Sequence, residues 1–269
     1  MERAAVDGVE LDYELRGSGE PVVLIHWGVS ALWAEPLLEQ RALADHYRLL
    51  NYHRAGFGGS SKVEAPITLA DHAVHCRLLM RDVGIERAHI VGHSSSAVIA
   101  LQLALDFPEA VRTLALLEPA RPWPATEAQA AFRRDFAEPA VGHYQAGDRE
   151  SAVDTWATGV FGPGYRPLME EGLPGVIEQC LADADTFFHQ ELPSVLQWSF
   201  TEEDGHRIAQ PVLIVVGGDS RPTFPERREL LLSWLPNAEP LDIPGTTHLL
   251  HIQSPREVAE GIAAFFARH

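Results

Sequence analysis

The stretch Ile90-Val91-Gly92-His93-Ser94-Ser95-Ser96-Ala97 constrains this chain more than any other. An apolar run, Ala88 to Val91, breaks at Gly92 and gives way to small and apolar residues with helical spacing, Ala97 to Leu105. That order reads as strand, sharp turn, helix. A serine at the apex of such a turn is held clear of the sheet with its hydroxyl exposed. The pattern G-x-S-x-G is nearly met, with Gly92 and Ser94 in place and Ser96 where the second glycine would stand. Turns of this kind also serve plain packing of a helix on a strand, so the rest of the chain has to decide whether Ser94 does chemistry.

Strands and helices alternate on both sides of this turn. Val6 to Arg16 alternates apolar and polar residues around the turn signal Asp7-Gly8. Pro21 to His26 is a continuous apolar run, the mark of a strand buried on both faces of a parallel sheet. A helical pattern spans Leu32 to Ala44, and Tyr47 to Tyr52 is the next strand. Thr68 caps a helix that runs to about Val83 and ends at Gly84. Val111 to Leu117, Val212 to Val216 and Ala238 to Ile243 read as strands, and Glu226 to Leu235 and Pro255 to Ala267 as helices. The alternation predicts an α/β fold, a mostly parallel sheet with helices on both faces. It stops between 121 and 210, where helical stretches are separated by Gly162-Pro163-Gly164, Gly172-Leu173-Pro174-Gly175 and Leu192-Pro193. Half of the aromatic residues fall in this interval, among them Trp123, Trp156, Phe161, Phe187 and Phe188. We therefore divide the chain into a core domain, 1–120 and 211–269, and a helical insertion, 121–210. Most of the aromatics form the insertion's own core, and a few line a pocket where it covers the sheet.

Composition narrows the partners. The formal net charge is −17 and the pI about 5.1, so nucleic acid and anionic membrane surfaces are repelled. The two cysteines, Cys76 and Cys180, are isolated, which suits buried reduced thiols. The first residues carry no apolar signal core, and no run approaches the ~18 apolar residues of a membrane span. A cytoplasmic protein is the expectation. His72-x-x-His75-Cys76 has the spacing of a metal site, but no further ligand set accompanies it, and a packed helix is expected instead. Phosphate-binding and dinucleotide-binding glycine motifs are absent. No metal and no organic cofactor is expected, and the oligomeric state stays open.

A serine hydroxyl is a poor nucleophile unless a base lies within hydrogen-bond reach. Histidine suits the task because its pKa lies near neutrality. In open parallel sheets reactive groups gather beyond the carboxyl ends of the strands. His26, Ser94, Glu118, Asp219 and the loop carrying His248 all fall at such ends.

With these residues in view the chain resembles the α/β-hydrolase superfamily from Val9 to Phe266. The resemblance rests on His26-Trp27-Gly28, Gly56-Phe57-Gly58-Gly59-Ser60, Gly92-His93-Ser94-Ser95-Ser96 and Gly245-Thr246-Thr247-His248, in that order. It implies an eight-stranded, mostly parallel sheet with a helical cap inserted after the sixth strand. It makes Ser94 the nucleophile, with Ser95 and Ser96 outside the elbow's reactive position, and His248 the general base, with His251 its nearest competitor. It places an oxyanion hole at the backbone N–H groups of Ser95 and Gly28. Trp27 replaces a glycine of the usual loop and, with His26, is expected to touch substrate.

The acid has two candidates. The family pattern Gly-x-x-Asp after the seventh strand is shifted here, with Ser220 at the fourth position and Asp219 one place early. Some members carry the acid after the sixth strand instead, where Glu118 stands. The resemblance implies a serine carboxylic-ester hydrolase that cleaves an ester or lactone through an acyl-enzyme. The aromatic insertion favours an apolar or bulky substrate, of which a macrolide-like lactone is one conceivable case. A C–C bond hydrolase or perhydrolase on the same residues is the alternative enzyme reading, and a ligand-binding receptor is the alternative outside catalysis. Dehalogenase and epoxide hydrolase readings are disfavoured, because those relatives have a carboxylate at the position of Ser94.

Overall fold

The computed structural model describes residues 1–64, 66–120 and 126–269. Arg121 and Trp123, which open the expected insertion, lie outside the described residues.

The strands are β1 Glu2–Val6, β2 Val9–Arg16, β3 Glu20–Ile25, β4 Tyr47–Tyr52, β5 Ala88–His93, β6 Val111–Leu117, β7 Val212–Gly217 and β8 Ala238–Ile243. They form one eight-stranded sheet in the order β1-β2-β4-β3-β5-β6-β7-β8. The pairs β1/β2 and β2/β4 are antiparallel. Every later pair is parallel. The apolar runs explain the order. Ala88–His93 and Val212–Gly217 are buried at every position, so they need cover on both faces and occupy interior places in the sheet rather than its edges. Glu2–Val6 alternates exposed and buried residues at its inner end and lies at the edge.

Successive residues of a strand point to opposite faces, and two core clusters result. Val23, Ile25 and Ile90 pack with Leu79, Leu101 and Leu231 on one side. Val22, Leu24 and Val91 pack with Leu43, Val258 and Phe265 on the other, and this second cluster continues through Trp27, Leu249 and Leu250 into the helical insertion.

Local rules set the helix ends. Thr68 and Asp71 form a reciprocal capping box at the start of Leu69–Asp82. The pattern read as one helix from Leu32 to Ala44 is broken into short turns, Ala31–Ala34, Glu35–Leu38 and Arg41–Ala44. Pro36 lies in the first turn of the middle piece, where its missing N–H is tolerated, but it cannot extend a helix that starts before it. The helix expected from Glu226 begins earlier, at Thr223.

Between β6 and β7 the described residues contain helices and no strand. Two of the segments are wide π-turns, Arg133–Ala137 and Thr186–Glu191. Among the described residues no helix is long and apolar enough to cross a membrane.

Candidate active site

The turn after β5 puts Ser94 at φ 58°, ψ −120°, a region that a residue with a Cβ seldom occupies. Neighbouring bonds hold it there. Ser94 N–H donates to the Leu117 carbonyl (2.9 Å), and the Ser94 carbonyl accepts from Ala120 N–H (3.0 Å). Gly92 is required by close approach, since a Cβ there would lie 2.5 Å from the Ser96 carbonyl oxygen. Ser96, standing where the motif has its second glycine, braces the turn. Its hydroxyl accepts from His93 N–H (2.8 Å) and donates to the Ile25 carbonyl (2.6 Å). The elbow is thereby tied to the end of β3, where the loop His26-Trp27-Gly28 begins.

Of the two acid candidates, Glu118 is the one brought to His248. The His248 Nδ1 lies 2.5 Å from Glu118 Oε2, and both side chains are buried. The other oxygen, Oε1, accepts from Gly217 N–H (2.7 Å) and from the Ser220 hydroxyl. Glu118 itself has φ 42°, a strained value for a non-glycine residue, so the carboxylate is aimed by its backbone as well as by its partners. Ser220 occupies the place where Gly-x-x-Asp would put an acid, and there it supports Glu118. Asp219 is exposed. Its backbone N–H donates to the Thr246 carbonyl (2.8 Å), and its side chain is not among the partners of His248.

Ser94 and His248 line one cavity of about 650 Å³, a size suited to a small organic ligand. The roof comes from the helical insertion and includes Phe132, Val141, Trp156 and Phe187. The His248 ring is clasped by aromatic faces. Phe224 stacks on it at 4.4 Å, Phe161 at 5.8 Å and Trp27 at 6.2 Å between centroids.

The sequence pattern of the alpha/beta hydrolase fold matches residues 20–255. The chain belongs to the α/β-hydrolase family. Among its relatives, the dihydrolipoyllysine-residue acetyltransferase component of the acetoin cleaving system of Cupriavidus necator is 38% identical over 116 residues, 43% of this chain and 31% of that protein. A fluoroacetate dehalogenase of a Burkholderia species is 36% identical over 132 residues, 44% of this chain and 41% of that protein. The chain thus spans less than half the length of these curated relatives. A thermophilic esterase of Thermogutta terrifontis superposes with a TM-score of 0.82 at 20% identity, over 100% of this chain and 99% of that one, a likeness of fold.

In this α/β-hydrolase Gly28, in the loop after β3, lies against Ser95, at the start of the helix after β5. Ser95 is the first residue of its helix, so its N–H has no carbonyl one turn back to bind. A Cβ on Gly28 would lie 3.0 Å from Ser95 Oγ and 2.7 Å from Glu191 Oε1, so any larger residue would have to displace them. Trp27 lines the cavity and is 1% exposed.

His26 is a correction. Expected to touch substrate, it is fully buried and is not part of the cavity lining. Its ring is engaged in bracing. Nε2 accepts from Arg54 N–H (2.9 Å), so Nδ1 carries the proton and donates to the Trp27 carbonyl (2.6 Å). Burial, followed by the charge of Arg54, holds its pKa well below the usual histidine value. His251 is also no rival to His248, being buried without a hydrogen-bond partner on either nitrogen and held neutral by desolvation. His93 accepts from Trp33 Nε1 (2.7 Å) at its Nδ1. Burial lowers its pKa strongly, with His248 adding to the effect.

Two residues of structural weight carry no functional reading in the sequence alone. Arg54 and Glu191 form a two-pronged buried ion pair, 2.6 and 3.1 Å, between the glycine-rich loop after β4 and the insertion. Arg54 Nη2 also donates to the Trp27 carbonyl at 3.0 Å. The available signals are an arginine opening a glycine-rich loop and a lone glutamate beside Phe187, Phe188 and Leu192. Among the described residues no group of three or more His, Cys, Asp or Glu side chains could hold a metal ion.

Proposed function

We propose that this chain is a serine hydrolase that cleaves a carboxylic ester or lactone through an acyl-enzyme. The observation that carries the reading is the buried Glu118–His248 pair on the wall of the cavity that Ser94 also lines.

With Nδ1–H held by Glu118, Nε2 is the ring nitrogen left to take the Ser94 proton. Ser94 Oγ attacks the carbonyl carbon as that proton moves to His248. The imidazolium is stabilised by the adjacent Glu118 carboxylate, and the developing oxyanion by the N–H groups of Gly28 and Ser95. One such donor is worth ~3–4 kcal/mol in the transition state. His248 then protonates the departing alkoxide oxygen, which in a lactone remains tethered to the acyl group. A water molecule, deprotonated by His248, attacks the acyl-enzyme and releases the carboxylic acid and Ser94. Trp27 walls the substrate. Asp219, exposed and away from His248, has no step in this scheme.

Ser94→Ala removes ester turnover and labelling by a fluorophosphonate. Glu118→Ala lowers kcat/KM by about 10³- to 10⁴-fold, as loss of the histidine's orienting acid does elsewhere. Asp219→Ala stays near wild type. A Glu118→Ala enzyme with undiminished turnover sinks the assignment of the acid, and a wild-type protein inert toward both reagents sinks the hydrolase reading.

A further inference from the structure

The charge of the cavity is opposite to that of the protein. The whole chain carries −17. Among the described residues, the charged groups lining the cavity are Arg133, Arg221 and Arg227 against Glu138, with no other carboxylate. Glu138 pairs with Arg133 at 3.3 Å. Arg221 and Arg227 are the other two guanidinium groups among the described lining residues, which also include His248.

Both belong to the segment after β7, beside the acid. Arg221 follows Ser220, whose hydroxyl reaches Glu118. Arg227 Nη1 reaches the carbonyl of Pro119, the residue after Glu118, at 3.4 Å, and its guanidinium lies 5.1 Å from the Phe224 ring centre. Arg221 Nη2 donates to the Thr158 carbonyl at 3.2 Å, and its guanidinium lies over the Phe136 ring at 4.8 Å. Its Nε is buried without a hydrogen-bond partner. Both of these Arg221 contacts are to neutral groups, although the chain has 38 acidic residues that could have supplied a counter-ion. Arg221 is only partly buried, but a cation drawn part-way out of water gains from an anion beside it. Desolvation indeed lowers the Arg221 pKa from its ordinary value, while leaving an arginine charged at neutral pH. The remainder of the wall is chiefly apolar, so an apolar acyl chain and one anionic group would both be accommodated.

We infer that the substrate is an ester or lactone that also bears a carboxylate, and that Arg221 binds that carboxylate while Ser94 meets the carbonyl. The inference rests on the hydrolase reading of the same cavity. In a protein so acidic the long-range field repels anions, so the selectivity arises inside the cavity.

The test compares the mono-p-nitrophenyl ester of glutaric acid with its methyl-capped diester, which differs by one charge. Wild type prefers the acid in kcat/KM by about tenfold, the order of one charge-assisted contact. The difference resides in KM. Arg221→Gln brings the ratio of the two substrates to about one, and Arg221→Lys keeps part of the preference, since a point charge replaces a planar fork. A wild-type ratio at or below one overturns the inference, as does an Arg221→Gln enzyme that loses both substrates in equal proportion, the outcome for a residue that only anchors the roof. Should neither ester turn over, the hydrolase reading fails separately. Calorimetric titration of Ser94→Ala protein with monomethyl glutarate and dimethyl glutarate then decides. Binding of the monoanion alone, lost on adding Arg221→Gln, upholds the inference, and equal or absent binding of both overturns it.

Discussion

Residues 183–198 and residues 126–145 both roof the cavity, yet they meet the core by different chemistry. The first stretch is fastened by polar bonds at nearly every turn. Asp183 accepts from Gly58 N–H and Lys62 Nζ, Thr186 donates to the Gly56 carbonyl, Gln190 to the Val63 carbonyl, and Ser194 accepts from Leu69 N–H. Glu191 adds the buried pair with Arg54. The π-turn Thr186–Glu191 widens the backbone there, and within that single segment Thr186 and Glu191 reach the core while Phe187 lines the cavity. The second stretch has one buried residue in its three helical segments, Ala140. It lies against the helix Arg149–Phe161, where Phe136 packs on Gly159. Arg221, over the Phe136 ring, connects it to the core. The difference teaches where strength and adaptability are placed. The fastened half is linked through Arg54 to the Trp27 loop, and the other half presents Phe132, Val141 and Gln145 to whatever fills the cavity.

The largest effect expected from breaking this contrast is at Glu191. Replacing it with alanine leaves Arg54 buried and uncompensated, at a cost of about 3–5 kcal/mol in urea unfolding. Turnover falls as well, because Arg54 also holds the Trp27 carbonyl. The double variant Arg54→Met, Glu191→Leu recovers much of the stability and not the turnover.

Next comes Gly28→Ala. Its Cβ would press on Glu191 Oε1 and Ser95 Oγ, shifting the amide that the proposed mechanism uses. A fall in kcat of about 10²- to 10³-fold with little change in KM is expected from steady-state kinetics.

Acid comes third and acts through the buried histidines of the core. Desolvation, the largest cause in each case, holds His26, His72, His93 and His251 well below the ordinary histidine pKa, and lowers His89 to about 4. The unfolded chain binds these protons near pH ~6.5 and the folded chain does not. The stability is therefore intact above that value and is lost as pH falls toward 4, where His89 protonates in the folded state. Each histidine contributes up to about 1.4 kcal/mol per pH unit to the slope of unfolding free energy against pH. A flat profile between neutrality and pH ~5 contradicts their burial as neutral rings.

The smallest effects belong to the loosely held half. Gln129→Ala and Gln145→Ala change stability by no more than about 0.5 kcal/mol. Their consequence is a change in KM that depends on the length of the acyl group. A loss of stability equal to that at Glu191 would erase the contrast between the two halves.

Much of this arrangement is legible in the sequence. Ser94 and His248 are readable because each sits on a local pattern, a strand breaking into a helix at Gly92 and a loop between the last strand and last helix. The sheet is readable because buried parallel strands leave continuous apolar runs. The antiparallel edge and the broken helix after β3 are less so, since short segments with mixed periodicity give weak signals. His26 escapes for a related reason. Its position at a strand end is visible, but the direction of its ring depends on Arg54, which arrives from the next strand's loop.

By itself, then, the sequence determined the α/β alternation, the helical interruption, the turn at Ser94 and the loop histidine before the last helix, because each is written in contiguous residues. Tertiary structure brings Glu118, and not Asp219, into contact with His248. Both lie beyond the ends of adjacent strands in the sheet, and only the strained backbone at 118 and the bonds from Gly217 and Ser220 bring one of them to His248. It also joined Arg54 to Glu191 across 137 positions and gathered arginines from separate segments into the lining of one cavity. Such contacts depend on where loops land after the sheet has formed, and no local spacing encodes that.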